Sequence, residues 1–424
     1  MPSEPCLAVG PAPGPATGDA RRPWDAALPE LVLPGARLRE PRLSDAPSLW
    51  TLLATDAVAR HMSPPPATAA GFERFVTWIV GERRARRGFC FGILPAACDH
   101  AVGLVQVRQL EPEFVTAEWG FALGEAYWGT GLFVPCAAAV VDFTFRHVGT
   151  HRLEARASSE NGRGNGVLHK LGALAEGVLR KSFQGREGPT DQVLWALLDD
   201  DWLAAHPSAP YQRGDPVEHE AEPPPPGESI RASGGDLPWR HGLPGLSGAG
   251  ARIRELREND APHLVRLLSN DDVNRYSFEA PSTEEGFRQF IAWTHRRREQ
   301  GQYLCFGIVP AGGDHAVGLI QLRQLEPSFR TAEWGFAIGV PYWGTGLFVE
   351  AANLVLAFAF DTMGVHRIEA RTALANGRAN GALRKLGAAR EGRLRRSFLV
   401  GNEYHDDVLW ALLADDWRRR LGRA

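Results

Sequence analysis

The second half of the chain carries apolar residues at two spacings, one typical of helices and the other of strands. Phe287, Phe290, Ile291 and Thr294 recur at the interval of one helix face. Short apolar runs bounded by turn residues indicate strands instead. The predicted strands span 252–256, 303–309, 316–323, 331–339, 366–372 and 404–413, and the predicted helices begin near 260 and 281 or span 347–360 and 380–387. This order predicts an α/β (α+β) domain in which a mostly antiparallel mixed sheet is flanked by helices.

The same pattern occurs twice in the chain. Residues 116–122, with the sequence TAEWGFA, recur 215 positions later as residues 331–337. The same offset relates the pair Pro23-Trp24 to the pair Pro238-Trp239. A repeat of this length is that of a whole domain. We therefore expect a disordered N-terminal segment over 1–34, a first domain over 35–203, a Pro/Gly-rich linker over 204–249 and a second domain over 250–419.

Composition narrows the class of protein. A formal net charge of −3 gives no reason to expect a nucleic acid or a membrane as partner. Five cysteines without a CxxC pair predict neither a disulfide framework nor a structural zinc site, and no metal is expected. The longest apolar stretches, 132–141 and 354–360, are too short to span a membrane, and the N-terminus lacks the apolar core of a signal peptide. These features predict a cytoplasmic protein.

Two further sets of residues are interpreted as structural. Cys90 and Cys305 stand at matching positions of apolar strands, which predicts buried thiols. The arginine runs at 83–87 and 296–298 follow the second helix of each copy, and they are expected to form solvated helix ends.

A strand-to-helix joint carries the candidate chemistry in each copy. Gly344 and Gly346 precede the helix predicted from residue 347, and Gly129 and Gly131 hold the same place in the first copy. Glycines two apart at the start of a helix let backbone amides turn toward a bound anion, which the helix dipole also favours. A plain tight turn gives the same pattern. Its repetition at the same joint favours a phosphate site.

Five short segments occur in the same order in both copies. Those of the second copy are AEWGF at 332–336, YWGTG at 342–346, HRIEAR at 366–371, Asn376 and KLG at 385–387; those of the first are AEWGF at 117–121, YWGTG at 127–131, HRLEAR at 151–156, Asn161 and KLG at 170–172. In the order and spacing of these segments both copies resemble the GNAT acetyltransferase superfamily, and within it the RimJ/RimL-like branch. The resemblance implies an N-acetyltransferase that moves an acetyl group from acetyl-CoA, or a longer acyl group from its acyl-CoA, directly to an amine acceptor. No covalent cysteine intermediate is needed.

The resemblance also implies which residues bind the co-substrate between two splayed strands. One strand would pair its backbone with the pantetheine, and the glycine loop would hold the pyrophosphate. The implied positions are Phe336, Ile338, Trp343, Gly344, Thr345, Gly346, Leu347, Phe348 and Asn376, with Phe121, Leu123, Trp128, Gly129, Thr130, Gly131, Leu132, Phe133 and Asn161 in the first copy.

Direct transfer needs a base that accepts a proton from the acceptor ammonium. Glu333 and Glu118 lie on the strand before the glycine loop, where histone-type members of the superfamily place their base. Glu369 and Glu154 lie on the next strand, where a ribosomal-protein acetylase subgroup places its own. All four residues are catalytic candidates, and a salt-bridged strand carboxylate is the alternative interpretation of each.

The sequence departs from the family pattern at a few positions. The loops begin with Ala126 and Pro341 instead of Arg or Gln, and they lack a basic residue between the glycines. Leu168 and Leu383 stand where some members have a tyrosine acid, so the general acid is unassigned.

Three functions stay open from sequence. The first is acetylation of a peptide or protein N-terminal α-amine, and the second is acylation of a small-molecule or natural-product amine. The third has one copy as a non-catalytic acyl-CoA-binding domain. A further hypothesis is that the two domains form an intramolecular pseudo-dimer.

Overall fold

The computed structural model describes residues 23–185, 188–216, 237–276, 280–326, 328–400 and 402–422. Residues 1–22 of the expected N-terminal segment and 217–236 of the expected linker lie outside the described residues. The chain divides into two compact units, one within Pro13–Ser229 and the other containing Ile230–Ala424. Within the described ranges, no helix combines the length and apolar character needed to cross a membrane.

The first domain contains seven helices and nine strands among its described residues. The helices are α1 (Pro23–Ala26), α2 (Ala46–Leu53), α3 (Asp56–Ala59), α4 (Ala69–Arg84), α5 (Phe133–Phe143), α6 (Gly162–Lys170) and α7 (Asp199–Ala205). The strands are β1 (Pro29–Leu33), β2 (Ala36–Arg39), β3 (Gly88–Pro95), β4 (Gly103–Gln109), β5 (Thr116–Leu123), β6 (Arg152–Ser158), β7 (Leu174–Gly185), β8 (Gly188–Leu198) and β9 (Gln212–Pro216).

The second domain repeats this arrangement. Its described helices are α8 (Ala261–Leu268), α9 (Asp271–Asn274), α10 (Glu284–Glu299), α11 (Leu347–Ala357), α12 (Gly377–Leu386) and α13 (Ala414–Arg420). Its strands are β10 (Leu246–Ser247), β11 (Ala251–Glu255), β12 (Tyr303–Pro310), β13 (Gly318–Gln324), β14 (Thr331–Ile338), β15 (Arg367–Ala373), β16 (Ala389–Val400) and β17 (Glu403–Leu413). The predicted helix over 347–360 leaves α-geometry after Ala357 and ends in a π turn over Phe358–Thr362.

Each sheet is mostly antiparallel with one parallel pair, which confirms the predicted fold class. In the second domain β11, β12, β13 and β14 pair antiparallel in sequence order, β14 pairs with β15 in parallel, and β15 pairs antiparallel with β17. The first domain has the same order from β2 to β8. Helix α11 packs on one face of the second sheet, and α8 and α10 pack on the other face. Cys90 and Cys305 are buried as predicted.

Regular structure precedes both expected domain starts: α1 and β1 lie before residue 35, and a 3₁₀ turn and β10 lie before residue 250. This corrects the expectation of disorder over 23–34 and over residues 237–249 of the linker. Trp24 in α1 and Trp239 in a short 3₁₀ turn are buried in the cores of their domains. Arg83 holds the first of these segments by donating to the Asp25 carbonyl at 2.5 Å. Arg83 is also buried in an ion pair with Glu40 at 2.7 Å, so this arginine is not the solvated helix end that the sequence predicted.

We expect Trp24→Ala to destabilise the protein by about 3–5 kcal/mol, because the substitution opens a cavity among packed aromatic rings. The indole of Trp24 lies 5.5 Å from the Phe89 ring and 5.3 Å from the Phe114 ring, centroid to centroid. Trp50→Ala is the matched control, since Trp50 is 43% exposed. Denaturant unfolding measures both variants, and equal midpoints for the two would contradict the structural role of the N-terminal segment.

A buried ion pair in each domain joins a strand, β2 or β11, to the turn that leads into the next helix, α2 or α8. Arg254 donates two hydrogen bonds to Asp260, at 2.7 and 2.8 Å, and Arg39 makes the same paired contact with Asp45. Burial alone would raise the pKa of Asp260. The hydrogen bonds from Arg254 and from backbone amides, together with the charge of Arg254, outweigh burial and hold that pKa below its usual value of 3.8. The carboxylate is therefore an ionised anchor.

This anchor gives the second domain a defined acid sensitivity. Because the pKa of Asp260 is lower in the folded chain, its contribution to stability is complete above pH 3.8 and is lost as the pH falls through the folded value. Asp260→Asn should cost about 3–5 kcal/mol at neutral pH, since Arg254 is left buried without its charge partner. It should also flatten the acid limb of stability against pH. Denaturant unfolding at several pH values tests both effects, and an unchanged acid limb would contradict the assignment.

Candidate acetyl-CoA clefts

Two neighbouring strands part at the centre of each sheet. β14 pairs with β15 only from Thr331 to Glu333, and β5 pairs with β6 only from Thr116 to Glu118. Beyond these residues β14 and β5 continue for five residues, paired on their other side with β13 and β4. Over the described residues no strand pairs with the edge that is exposed where they part. Its backbone amides and carbonyls are available to an extended ligand.

The glycine loop closes one end of this opening in each domain. Gly344 and Gly346 have φ values of 75° and 88°, a left-handed conformation that favours glycine, and α11 begins at the next residue. Gly129 and Gly131 have φ values of 73° and 83°. Thr345 donates from its hydroxyl to the carbonyl of Tyr342 at 2.9 Å, and Thr130 repeats this bond. The threonine that replaces the family's basic residue therefore stabilises the loop from within.

Most of the predicted co-substrate positions line a cavity beside this loop. The cavity measures about 680 Å³ in the first domain and about 510 Å³ in the second. The lining residues predicted from sequence are Phe336, Ile338, Trp343, Gly344, Gly346, Phe348 and Asn376, and Phe121, Leu123, Trp128, Gly129, Gly131, Phe133 and Asn161. Thr130, Leu132, Thr345 and Leu347 are not among the lining residues, and the two threonine hydroxyls bond within the loop.

The predicted asparagines begin the helix on the far wall of each cleft. The side-chain oxygen of Asn376 accepts from the amide of Ala379 at 3.1 Å, which caps α12, and Asn161 caps α6 in the same way. A residue outside the predicted site, Asn380, holds this cap in place. Asn380 donates to the Asn376 carbonyl at 2.8 Å and accepts from the Trp410 indole at 2.8 Å. The repeated Asn-x-x-x-Asn spacing was the available signal.

Glu333 and Glu118 both form ion pairs with an arginine on the neighbouring strand. Glu333 pairs with Arg323 and lies 3.8 Å from Arg371, and its side chain is 3% exposed. Glu118 pairs with Arg108 and is 16% exposed. Neither carboxylate lines the cavity, although Arg371 does. Glu333 therefore lies directly behind a residue of the cleft wall, Arg371.

Glu369 and Glu154 have a different environment. Arg367 donates to Glu369 at 3.0 Å and to Glu391 at 2.6 Å, and all three side chains are buried. Arg152 joins Glu154 to Glu176 in the same way, and although burial lowers the pKa of Arg152, the two carboxylates raise it above its usual value. These contacts are structural, so the geometry does not support the predicted catalytic role of Glu369 and Glu154.

The linings of the two clefts differ at positions outside the predicted site residues. Asp272 and Tyr276 line the second cleft, where the first cleft has Ala57 and His61. These residues lie in or directly after the short helices α9 and α3. Four-residue helices carry too weak a periodicity to be recognised from sequence.

The buried thiols show no sign of nucleophilic activation. Burial, reinforced by the nearby carboxylates of Glu40 and Glu255 respectively, raises the pKa of Cys90 and of Cys305 well above the ordinary value of 9.0. Burial raises the pKa of Cys136 to about 12. A thiol that stays protonated at neutral pH is a poor nucleophile, which agrees with direct acetyl transfer.

In each domain the splayed strands, the glycine loop and the capped helix together form one cleft. The family model for the acetyltransferase (GNAT) domain matches residues 36–174 and again residues 251–389. The chain therefore belongs to the GNAT acetyltransferases, as an acetyl-CoA-dependent N-acetyltransferase with two tandem domains.

Curated relatives support this assignment. The probable N-acetyltransferase YjcK of Bacillus subtilis is 31% identical over 180 residues, which cover 40% of this chain and 98% of that protein. The spermidine N(1)-acetyltransferase of Escherichia coli is 27% identical over 157 residues, covering 37% of this chain and 82% of that enzyme. The ribosomal protein uS5-alanine N-acetyltransferase of Escherichia coli is 27% identical over 133 residues, covering 31% of this chain and 69% of that enzyme.

Proposed function

We propose that both clefts bind acetyl-CoA and transfer its acetyl group to the α-amino group of a peptide or protein. One observation carries the proposal: a free strand edge that ends in a glycine loop at a helix start is formed twice. Retention of both loops supports two working sites over one site and a non-catalytic copy. The relative named for alanine acetylation of ribosomal protein uS5 supports the choice of a peptide α-amine.

In the proposed reaction Glu118 or Glu333 takes a proton from the acceptor ammonium, directly or through one water. The free amine attacks the thioester carbonyl and the C–S bond breaks. The nitrogen gives up its second proton to water or to the departing thiolate, and the products are the amide and coenzyme A. Open space lies beside Glu118, because a Cβ placed on Gly120, two residues along the same face, would meet no atom within 4 Å. CoA leaves as a thiolate, since the family's tyrosine is replaced in each copy by a buried leucine, Leu168 or Leu383.

A second candidate function for the second cleft is acetylation of a polyamine. Asp272 lines this cleft where the first cleft has an alanine; its side chain is 66% exposed and lies 3.9 Å from the Arg275 guanidinium. A carboxylate that lines a cleft attracts a cationic acceptor. The relative named as a spermidine acetyltransferase supports this alternative.

Acetyl-CoA turnover with three acceptors distinguishes the two functions. The acceptors are a short peptide with a free N-terminus, the same peptide with a blocked N-terminus, and spermidine. Turnover with the free peptide alone is the expected result. Turnover with spermidine alone would replace the proposed function by the second candidate, and Asp272→Ala should then raise the KM for spermidine.

A further inference from the structure

An arginine lies over the tryptophan of the glycine loop in both domains. The guanidinium carbon of Arg378 is 4.1 Å from the centroid of the Trp343 ring, and that of Arg163 is 4.5 Å from the Trp128 ring. Both arginines lie in the first turn of the helix opposite the loop, and both line the cleft. The same stack is therefore formed twice, by elements far apart in sequence.

The tryptophan is a fixed platform for this stack. The indole N–H of Trp343 donates to the carbonyl of Ile338 at 2.9 Å, and that of Trp128 donates to Leu123 at 2.9 Å. These bonds hold the ring at the end of the free strand, directly before the loop glycines. A guanidinium that stacks on a fixed ring keeps its plane while its N–H groups stay available at the edge.

No carboxylate within the described ranges forms an ion pair with Arg378 or Arg163. Arg371, which also lines the second cleft, lies near Glu333 instead. The loop itself contributes no cation, because threonine stands between its glycines. A stacked guanidinium that faces a glycine loop at a helix start is suited to a phosphate, which accepts hydrogen bonds from the guanidinium and from backbone amides at a helix N-terminus.

We propose that Arg378 and Arg163 are the cationic phosphate ligands of the two clefts, and that Trp343 and Trp128 hold them in position. The inference rests on the proposed function, since the phosphate is one of those on coenzyme A, either the pyrophosphate or the 3′-phosphate. The arginine reaches the phosphate from the helix opposite the loop, so each phosphate site is completed by two separate walls of its cleft.

The test uses the full chain carrying Gly131→Trp, so that calorimetry reports CoA binding to the second cleft alone. Arg378→Ala should weaken CoA binding roughly 10–100-fold, the loss of a charged hydrogen bond. Arg378→Lys should recover part of this affinity, because lysine keeps the charge but not the planar stack. Arg384→Ala is the matched control, since Arg384 lies on the same helix but does not line the cleft, and it should change affinity less than threefold.

Comparison of CoA with 3′-dephospho-CoA distinguishes the two phosphates. An Arg378→Ala effect on both ligands assigns the pyrophosphate, and an effect on CoA alone assigns the 3′-phosphate. Trp343→Leu should weaken binding through the arginine, so the double variant Trp343→Leu/Arg378→Ala should lose less than the sum of the two single losses.

If Arg378→Ala bound CoA and 3′-dephospho-CoA each as tightly as its Gly131→Trp parent does, this inference would be overturned and the proposed function would stand. A parent that binds no CoA at all would overturn both. Arg163→Ala in a Gly346→Trp background repeats the measurement for the first cleft.

Discussion

Replacing Gly346 with tryptophan is expected to abolish acetyl-CoA binding in the second cleft while the first cleft binds normally. Gly346 has a φ of 88°, and a Cβ placed on it would meet no atom within 4 Å, so the new side chain enters the cleft. The indole would occupy the space proposed for the pyrophosphate, and the left-handed backbone adds strain of about 1–2 kcal/mol. Calorimetry should show one binding site fewer than in the unmodified chain.

Gly364→Trp separates loss of the site from backbone strain. Gly364 has a φ of 74° and open space around it, but it lies after the π turn and outside the cleft. This variant should keep full binding stoichiometry and lose only stability. If both variants lost binding alike, strain would explain the effect and the loop would not be the phosphate site.

The second large effect is expected for Glu333→Gln, which should lower kcat of the second cleft about 10²–10⁴-fold. Glutamine keeps the size and the hydrogen-bonding oxygen of the side chain but accepts no proton at neutral pH. The measurement is steady-state acetylation of the free peptide in a Gly131→Trp background.

Arg323→Gln is the control for this substitution. It removes the ion pair that Arg323 makes with Glu333 while the carboxylate keeps its neighbour Arg371 at 3.8 Å. We expect kcat to fall less than tenfold in this variant. If Glu333→Gln lost no more activity than Arg323→Gln at equal stability, Glu333 would not be the base.

Local patterns predicted the parts of the fold and the cleft that depend on neighbouring residues. The helix spacing of Phe287, Phe290 and Ile291 predicted α10, whose observed start at Glu284 lies within the predicted opening turn. The paired loop glycines predicted a turn at each helix start, and their left-handed φ values agree with it. In both cases residues within one turn of each other determine the conformation, so the sequence window contained the information.

Strand β16 was not predicted, for a physical reason. Residues 389–396 of this strand include four arginines, so apolar and polar residues do not alternate regularly along it. Much of one face is partly exposed, and two register shifts interrupt the pairing of β16 with β17. The N-terminal segment was missed for another reason. Trp24 lies among polar and proline-rich residues, and only its recurrence as Trp239 indicated that it belongs to the domain.

The side-chain pairings could not be derived from the sequence either. Glu369 and Glu391 share Arg367 because strand β16 brings Glu391, 24 residues further along the chain, next to this arginine. The stack of Arg378 on Trp343 joins two elements 35 positions apart. Such contacts depend on tertiary packing, so the sequence named the charged candidates without indicating which of them form structural ion pairs.

The central claim is that one chain holds two working acetyl-CoA clefts, and the stoichiometry of acetyl-CoA binding to the unmodified protein tests it most directly. Isothermal titration calorimetry should give two sites per chain, one lost with Gly131→Trp and the other with Gly346→Trp. A single site in the unmodified protein, or none, would contradict the claim.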